Sequence, residues 1–192
     1  TFFEKIQIII PMKKTICKII ITCLSAVLSV PALYAQTKAY ISKETGFSCR
    51  YPVDWKHCTA NEYPQIQIQG NTHLLAIHSM DNPYEGSLFM SWVEKADSNP
   101  TASRIAETKE GFRMMIAPFE DGVSIKDTII VIGGRQFIGT FMKTSSDEPG
   151  GCTLHYYDSK LKQFWNLSWD ATNSKDESLL KEIIKTIQFN DK

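Results

Sequence analysis

The sequence predicts an α+β domain built mainly from antiparallel strands. Short segments with strand-like alternation fill most of the chain, and only two segments show the helical spacing of apolar residues. In addition, four strand-like segments follow one another between residues 123 and 169, joined by short turns. Runs of strands with isolated helices are typical of layered α+β folds and not of a doubly wound parallel sheet.

The N-terminal residues 12–35 have the pattern of a signal peptide. Met12-Lys13-Lys14 supplies a basic start, residues 16–30 are almost wholly apolar, and Leu33-Tyr34-Ala35 favours cleavage before Gln36. The apolar stretch is short for a bilayer span and a plausible cleavage site follows it, which favours a cleaved signal peptide; an uncleaved anchor is the alternative interpretation. The pattern predicts a periplasmic or secreted protein without a stable membrane anchor after cleavage.

The remainder, residues 36–192, is of ordinary size for a single domain. Residues 1–11 are interpreted as an upstream extension, arising from a mis-set start or from cloning. Removing residues 1–35 takes away four lysines and Glu4, which changes the net charge from zero to about −3. Since no basic excess remains, nucleic acid is not expected as a partner.

The first half of the predicted domain reads as strands. Residues 46–51 alternate, with Phe47 and Tyr51 on one face, and residues 52–54 form a turn. Residues 55–59 are then predicted to return as the hairpin partner. Further strands are predicted at residues 65–69, 74–79 and 87–93.

Two helices and two hairpins follow. Asn99 can cap a helix that ends at Ala117-Pro118, with apolar spacing at Ile105, Thr108, Phe112 and Met115. Hairpins are predicted for residues 123–142, around Gly133-Gly134, and for residues 152–169. The last helix has a capping box, Ser174 to Glu177, and an apolar stripe formed by Leu180, Ile183, Ile184 and Ile187.

Two segments resemble PsbP-like domains. Residues 46–55, Gly-Phe-Ser-Cys-Arg-Tyr-Pro-Val-Asp-Trp, resemble the opening phrase of that family, and residues 183–189 resemble its final helix and extended tail. The resemblance covers roughly residues 40–190 and suggests a secreted bacterial member. It implies a central antiparallel sheet packed between helices, an α/β/α sandwich. Most members of the family act by binding, and the resemblance transfers no catalytic residue to this chain.

The sequence nominates no chemical centre. Motifs such as Gly-x-Ser-x-Gly, His-Glu-x-x-His and a phosphate-binding glycine loop do not occur. His73 and His78 are five residues apart in extended chain, and Cys152 and His155 are three apart, so both pairs diverge. No catalytic, cofactor-binding or metal-ligating residue is therefore assigned, and no cofactor is expected.

Cys49 and Cys58 are candidates for a disulfide. If Val53-Asp54 forms a two-residue hairpin loop, the two cysteines stand directly opposite each other, at a separation that a disulfide can use. A three-residue loop would pair Cys49 with His57 instead. Buried reduced thiols remain the alternative, and both readings stay open at this level.

Aromatic residues are the candidate binding feature of this sequence. Trp92, Tyr157 and Trp165 lie in predicted strands and are interpreted as possible binding-surface aromatics. The alternative is that they pack in a core covered on both faces.

Three functional hypotheses follow. The first is a non-enzymatic envelope protein that binds an unknown envelope protein through its sheet or loop edges. The second is a domain that binds a small ligand, such as a lipid, a sugar or a peptidoglycan fragment. The third is an enzyme whose site is assembled from residues distant in the sequence.

Overall fold

The structure is a computed structural model that describes residues 37–59, 73–82, 85–116, 123–143 and 150–190. Nearly all of these residues belong to one compact unit, residues 38–192. The signal peptide predicted at residues 12–35, the extension 1–11, the strand predicted at residues 65–69 and the helix end predicted at Ala117-Pro118 lie outside the described residues.

Within these ranges the chain forms ten strands and two helices. In chain order they are β1 Thr37–Ile41, β2 Phe47–Pro52, β3 Lys56–Thr59, β4 His73–His78, β5 Leu88–Lys95, α1 Thr101–Ile116, β6 Ser124–Ile132, β7 Arg135–Lys143, β8 Gly151–Asp158, β9 Gln163–Asp170, α2 Ser174–Lys185 and β10 Gln188–Phe189.

The strands are arranged in two sheets. A three-stranded sheet has the order β1-β2-β10, and a seven-stranded sheet has the order β3-β4-β5-β9-β8-β7-β6. Every pairing described in the large sheet is antiparallel. The four consecutive strands predicted between residues 123 and 169 are confirmed as β6 to β9, because short turns force neighbouring strands to run antiparallel.

The core face of the large sheet carries Phe89, Trp169, Cys152 and Phe141, which are successive cross-strand partners. The small sheet packs on this face, with the Phe47 and Trp165 rings 6.0 Å apart between centroids. Helix α2 packs there too, through its buried residues Leu180, Ile183 and Ile184. This face therefore holds the main hydrophobic core.

The opposite face, called here the helix face, carries α1. One row of cross-strand partners on this face runs across six strands: Leu74, Trp92, Asn166, His155, Ile138 and Ile129. Helix α1 lies over the part of this face that β7 and β8 form. Its start is fixed as predicted, because Asn99 Oδ1 accepts a hydrogen bond from the Thr101 backbone N–H at 3.0 Å.

The predicted antiparallel α+β class is confirmed, but the sheets dominate the fold. Helix α1 covers part of one face of the large sheet, whereas the small sheet shares the other face with α2. A simple helix, sheet, helix layering is therefore too regular a description. The sequence could not show this, because the first strands alternate like any others and nothing local assigns them to a separate sheet.

The predicted hairpin between residues 46–51 and 55–59 is wrong. Strand β2 belongs to the small sheet and β3 pairs with β4 in the large one. The turn itself is present, since the Trp55 N–H donates to the Pro52 carbonyl at 3.1 Å. Trp55 is buried in the core, so the chain uses this turn to pass from one sheet to the other.

Two smaller expectations also change. Residues 37–41 form strand β1, although the polar composition of residues 37–44 predicts only a lead-in to the first strand. The N-cap of α2 is Asn173, one residue before the predicted Ser174, and its side chain accepts from the Asp176 N–H at 2.9 Å. Asparagine and serine are about equally good N-caps, so local sequence does not separate them.

Candidate functional site

The three aromatic residues predicted for a binding surface do not lie together. Trp165 is only 1% exposed and lies in the main core, so its assignment to a binding surface is wrong. Trp92 and Tyr157 are half-buried and lie on the helix face, on the opposite side of the sheet from Trp165. Tyr157 donates its hydroxyl to the Ala96 carbonyl at 3.2 Å. Both faces of the large sheet carry bulky residues because each face is covered, one in part by α1 and the other by the small sheet and α2.

The two cysteines predicted to face each other lie in different sheets. Cys49 is on β2 and Cys58 is on β3, and both are buried and form no disulfide in the structure. The register argument for a bridge depended on a β2–β3 hairpin that does not form. Burial raises the pKa of Cys49 to about 12, so the thiol stays protonated and is a poor nucleophile at neutral pH.

A buried polar network lies between α1 and the sheet. His155 Nδ1 shares a hydrogen bond with Asn166 Oδ1, and His155 Nε2 lies 3.4 Å from Thr108 Oγ1. Hydroxyl, imidazole and amide thus stand in the order of a nucleophile, a base and an orienting group. However, His155 is 3% exposed, so a substrate would have to displace α1 to reach it.

The imidazole is therefore best explained as a structural group. Burial lowers the pKa of His155, with the Asn166 hydrogen bond acting in the opposite direction. A neutral imidazole shares one bond with each partner and connects α1 to β8 and β9. Its ring also stacks on Phe164, with centroids 5.6 Å apart.

The most distinctive surface of the described residues is at the edge of the large sheet. Strand β6 is the outermost strand on this side, and Ile129 and Val131 on it are 60% and 71% exposed. Ile138 on β7 is the direct cross-strand partner of Ile129 and is 37% exposed. All three point to the helix face beyond the part that α1 covers. We call these three residues the edge surface.

Charged residues flank only one half of this strand. Lys126 and Asp127 lie toward its beginning, whereas residues 129–132 are Ile-Ile-Val-Ile. Asp127 is held by α1, because Lys109 Nζ lies 2.6 Å from Asp127 Oδ1. Natural edge strands are usually protected from pairing by charges, prolines or bulges. The second half of β6 has none of these.

A shallow groove lies on the core face, between α2 and the β6 end of the sheet. Its volume is about 460 Å³, within the range of small-ligand sites. The floor is apolar and includes Ile130, Phe141 and Trp169, and Lys181 and Lys185 lie at the rim. These lysines pair with Glu177 and Glu182 on the same exposed helix surface, so the rim has little net charge.

Neither a metal centre nor a membrane-spanning helix is found in the described part of the chain. The His, Cys, Asp and Glu residues described there form no group of three or more that could bind a metal ion. The helices described there are too short or too polar to cross a bilayer.

The edge surface was missed by sequence reasoning. The β-branched run at residues 123–132 predicts a strand, but a strand carries the same alternation at the centre or the edge of a sheet. The sequence signal that could have indicated an exposed edge is the unequal distribution of charge along β6, with charges in its first half and none in its second.

Comparisons with known proteins give distant structural similarities, and two of them are described here. No protein-family model matches the chain, and no curated protein matches it. A protein of Bacteroides thetaiotaomicron VPI-5482 is similar over 82% of this chain, with a TM-score of 0.47 and 14% identity; this chain spans about half of that one, 50%. Cyanobacterial PsbP (CyanoP) from Synechocystis sp. PCC 6803 is similar over 81% of this chain and 94% of its own, with a TM-score of 0.49 and 8% identity.

Proposed function

We propose that the protein is a non-enzymatic binding protein of the periplasm or the extracellular space, and that it engages a partner protein through the edge strand β6. The observation that carries this proposal is the edge surface of Ile129, Val131 and Ile138, exposed beside an outermost strand. The location rests on the signal-peptide pattern of residues 12–35.

The chemistry of an open strand supports this proposal. An edge strand presents backbone N–H and C=O groups that an extended partner can satisfy, and neighbouring apolar side chains add affinity and register. Burying the two most exposed residues of the edge surface, Ile129 and Val131, removes apolar surface from water and favours association. Strand addition uses features that β6 already presents and needs no rearrangement of the core.

We also propose that the domain is a secreted bacterial member of the PsbP-like group. The phrase at residues 46–55 supports the assignment, because its Tyr51 and Trp55 are both buried core residues around the sheet-changing turn. The final helix running into an extended tail is present as α2 and β10.

The binding proposal is tested by cross-linking in intact cell envelopes. Tagged wild-type protein is expected to yield a reproducible cross-linked partner that disappears in Val131→Lys. Leu161→Lys is the matched control, because Leu161 is also an exposed apolar residue but lies in the β8–β9 turn. If Val131→Lys and Leu161→Lys give the same cross-linked products as the wild type, β6 is not the binding surface.

Small-ligand binding in the groove beside α2 is a second candidate function. The observation that favours it is an apolar floor of Ile130, Phe141 and Trp169 in a groove of about 460 Å³. A ligand that binds only the folded state stabilises it by RT ln(1 + [L]/Kd), so the melting temperature rises with the logarithm of ligand concentration once that concentration exceeds Kd. A thermal-shift screen of lipids, sugars and peptidoglycan fragments tests this function.

A filling variant sharpens that screen. Thr128→Trp would place a large ring at the groove wall, whereas Val131→Trp adds the same ring to the other face of the strand. A true groove ligand stabilises the wild type and Val131→Trp but not Thr128→Trp. Flat melting temperatures across the screen would contradict this second function.

A further inference from the structure

We infer that the partner of β6 is the β6 strand of a second copy of this chain, added antiparallel about a two-fold axis at Ile130 to give one continuous sheet. This inference rests on the proposed binding role of the edge, and it names the occupant. The argument has three parts: which backbone groups are open, which register they allow, and which side chains then meet.

The β6–β7 turn determines which backbone groups face outward. Gly133 and Gly134 have φ of 54° and 79°, the positive values of a two-residue type I′ hairpin turn. In such a hairpin the flanking residues Ile132 and Arg135 form a hydrogen-bonded pair. Hydrogen-bonded positions alternate, so the N–H and C=O groups of the odd-numbered residues of β6 point away from β7.

The open groups therefore belong to Ile125, Asp127, Ile129 and Val131. A two-fold axis normal to the sheet keeps the helix faces of the two copies on the same side of the continuous sheet. Because the open groups are those of odd-numbered residues, odd-numbered residues of one copy pair with odd-numbered residues of the other. The axis must then pass beside a single residue of β6. Symmetry thus reduces the possible registers to one per residue along the strand.

Side-chain chemistry separates these registers. An axis at Asp127 would place two aspartates opposite each other, which is unfavourable. Axes at Thr128 or Ile129 would place Asp127 opposite Ile129 or Val131 of the other copy. These arrangements oppose a carboxylate to an apolar side chain.

The axis at Ile130 avoids both problems. It makes Ile129 of one copy the partner of Val131 of the other, and the reverse, so the two most exposed apolar side chains of the strand cover each other. The charged residues Lys126 and Asp127 then lie opposite Gly134 and Gly133 of the other copy, where no side chain opposes them. Ile138 extends the apolar row on each side of the junction.

The expected complex is a reversible dimer. One added strand pair is smaller than the interfaces of about 1,200–2,000 Å² that hold stable complexes together. Its formation therefore depends on protein concentration, and the dimer dissociates on dilution. Val131→Lys places a charge opposite Ile129 of the other copy. This variant is therefore expected to be a monomer at all concentrations tested.

Cysteine cross-linking tests the register directly. In the inferred dimer the two Ile130 residues are a non-hydrogen-bonded pair, with Cα atoms about 4.5 Å apart, a separation that a disulfide spans. Ile130→Cys is therefore expected to give a covalent dimer under mild oxidation. Lys126→Cys is the matched control on the same side of β6, and it is expected to remain uncrosslinked because the two copies of position 126 lie far apart.

The outcomes are distinct. A covalent Ile130→Cys dimer, together with concentration-dependent sedimentation of the wild type that Val131→Lys abolishes, supports the inference. Cross-linking through Thr128→Cys in place of Ile130→Cys would overturn the register. A wild type that sediments as a monomer at every concentration overturns the second copy as the partner, and the proposed function would still stand if envelope cross-links remained sensitive to Val131→Lys.

Discussion

Arg135 shows how one side chain ties several elements together. Its guanidinium lies 4.3 Å from the Phe189 ring centroid, 5.3 Å from that of Tyr156 and 5.8 Å from that of Trp165. It therefore joins the start of β7 to β8, β9 and the C-terminal strand β10. Planar guanidinium groups stack on aromatic rings in a way that a lysine ammonium cannot reproduce.

The cysteines provide a residue-level prediction. We expect Cys49, Cys58 and Cys152 to be reduced thiols outside any disulfide, which alkylating reagents label slowly in the folded protein and fully after denaturation without reductant. The reason is burial, which raises the pKa of Cys49 and of Cys152 to about 12 and keeps the reactive thiolate scarce. Peptide mass spectrometry of alkylated protein measures this. If Cys49 and Cys58 stay unlabelled in the denatured, unreduced protein, they are bridged and the free-thiol arrangement is wrong.

His155 gives a prediction for pH dependence. Its folded-state pKa is lowered, mainly by burial, so below the unfolded value of about 6.5 the unfolded chain binds a proton that the folded protein resists. Stability from this group is therefore present above that pH and is lost as the pH falls through it. We expect the free energy of unfolding to decrease between about pH 7.5 and pH 5.5, by up to roughly 1.4 kcal/mol per pH unit from this residue.

The variant His155→Gln isolates the contribution of His155 to the pH dependence of the free energy of unfolding. It should be less stable than the wild type at pH 7.5, because the polar network with Asn166 is altered, but its stability should change less with pH. Urea unfolding at several pH values provides the comparison. Parallel pH dependences in the two proteins would show that His155 titrates normally and is not buried under α1.

At the scale of elements, the two helices are attached differently. Helix α2 places Leu180, Ile183 and Ile184 in the main core, whereas Met114 and Met115 near the end of α1 are exposed. Helix α1 is held in part by polar contacts at its surface, including Arg104 to Glu94 at 3.2 Å. The main core contains Leu180, Ile183 and Ile184 of α2 and no described residue of α1, so α2 is the helix that this core depends on.

Leu180→Ala tests the role of α2. Leu180 is fully buried, and truncating such a side chain removes hydrophobic contacts and leaves a cavity, at a cost of about 3 kcal/mol. Lys181→Ala on the exposed side of the same helix is the matched control and should change stability by less than about 0.5 kcal/mol. Chemical denaturation of both variants gives the difference. Similar small losses in the two would mean that α2 does not pack on the core as described.

At the scale of the whole molecule, the short strand β10 connects the two sheets. It pairs with β2 in the small sheet, through Gln188 with Ser48 and Phe189 with Phe47. The Phe189 ring also lies 5.0 Å from Trp165 and 5.9 Å from Phe137, both of the large sheet. Strand β10, at the end of the described chain, therefore pairs with the small sheet and packs its Phe189 ring against the large sheet.

Phe189→Ala is expected to destabilise the entire domain, by roughly 2–4 kcal/mol, because one ring contributes to both sheets and to the stack on Arg135. Gln188→Ala is the control on the same strand, since that side chain is exposed. Thermal unfolding followed by near-ultraviolet circular dichroism measures the loss. If only a local change accompanies Phe189→Ala, β10 is a peripheral strand and not a connection between the sheets.

Local sequence was sufficient for most elements of this fold. The strands β6 to β9, the capped start of α1 and the apolar stripe of α2 follow from alternation, turn residues and helical spacing, which depend on neighbours in the chain. The candidate site was not predictable in the same way. The exposed state of Ile129, Val131 and Ile138 depends on which strand is outermost, and strand order is not encoded in any single strand.

The amino-acid sequence was enough to predict the antiparallel α+β class, the hairpin at Gly133-Gly134 and the amphipathic last helix, because each depends on interactions within a few residues or across a short turn. Other properties required the tertiary structure: β2 and β3 belong to different sheets, Trp165 is buried, Cys49 and Cys58 lie in different sheets, and β6 is the outermost strand among the described residues of the large sheet. These properties depend on pairing between distant segments. Pairing is selected by the packing of the complete core, in which Trp55 and Phe189 join the two sheets.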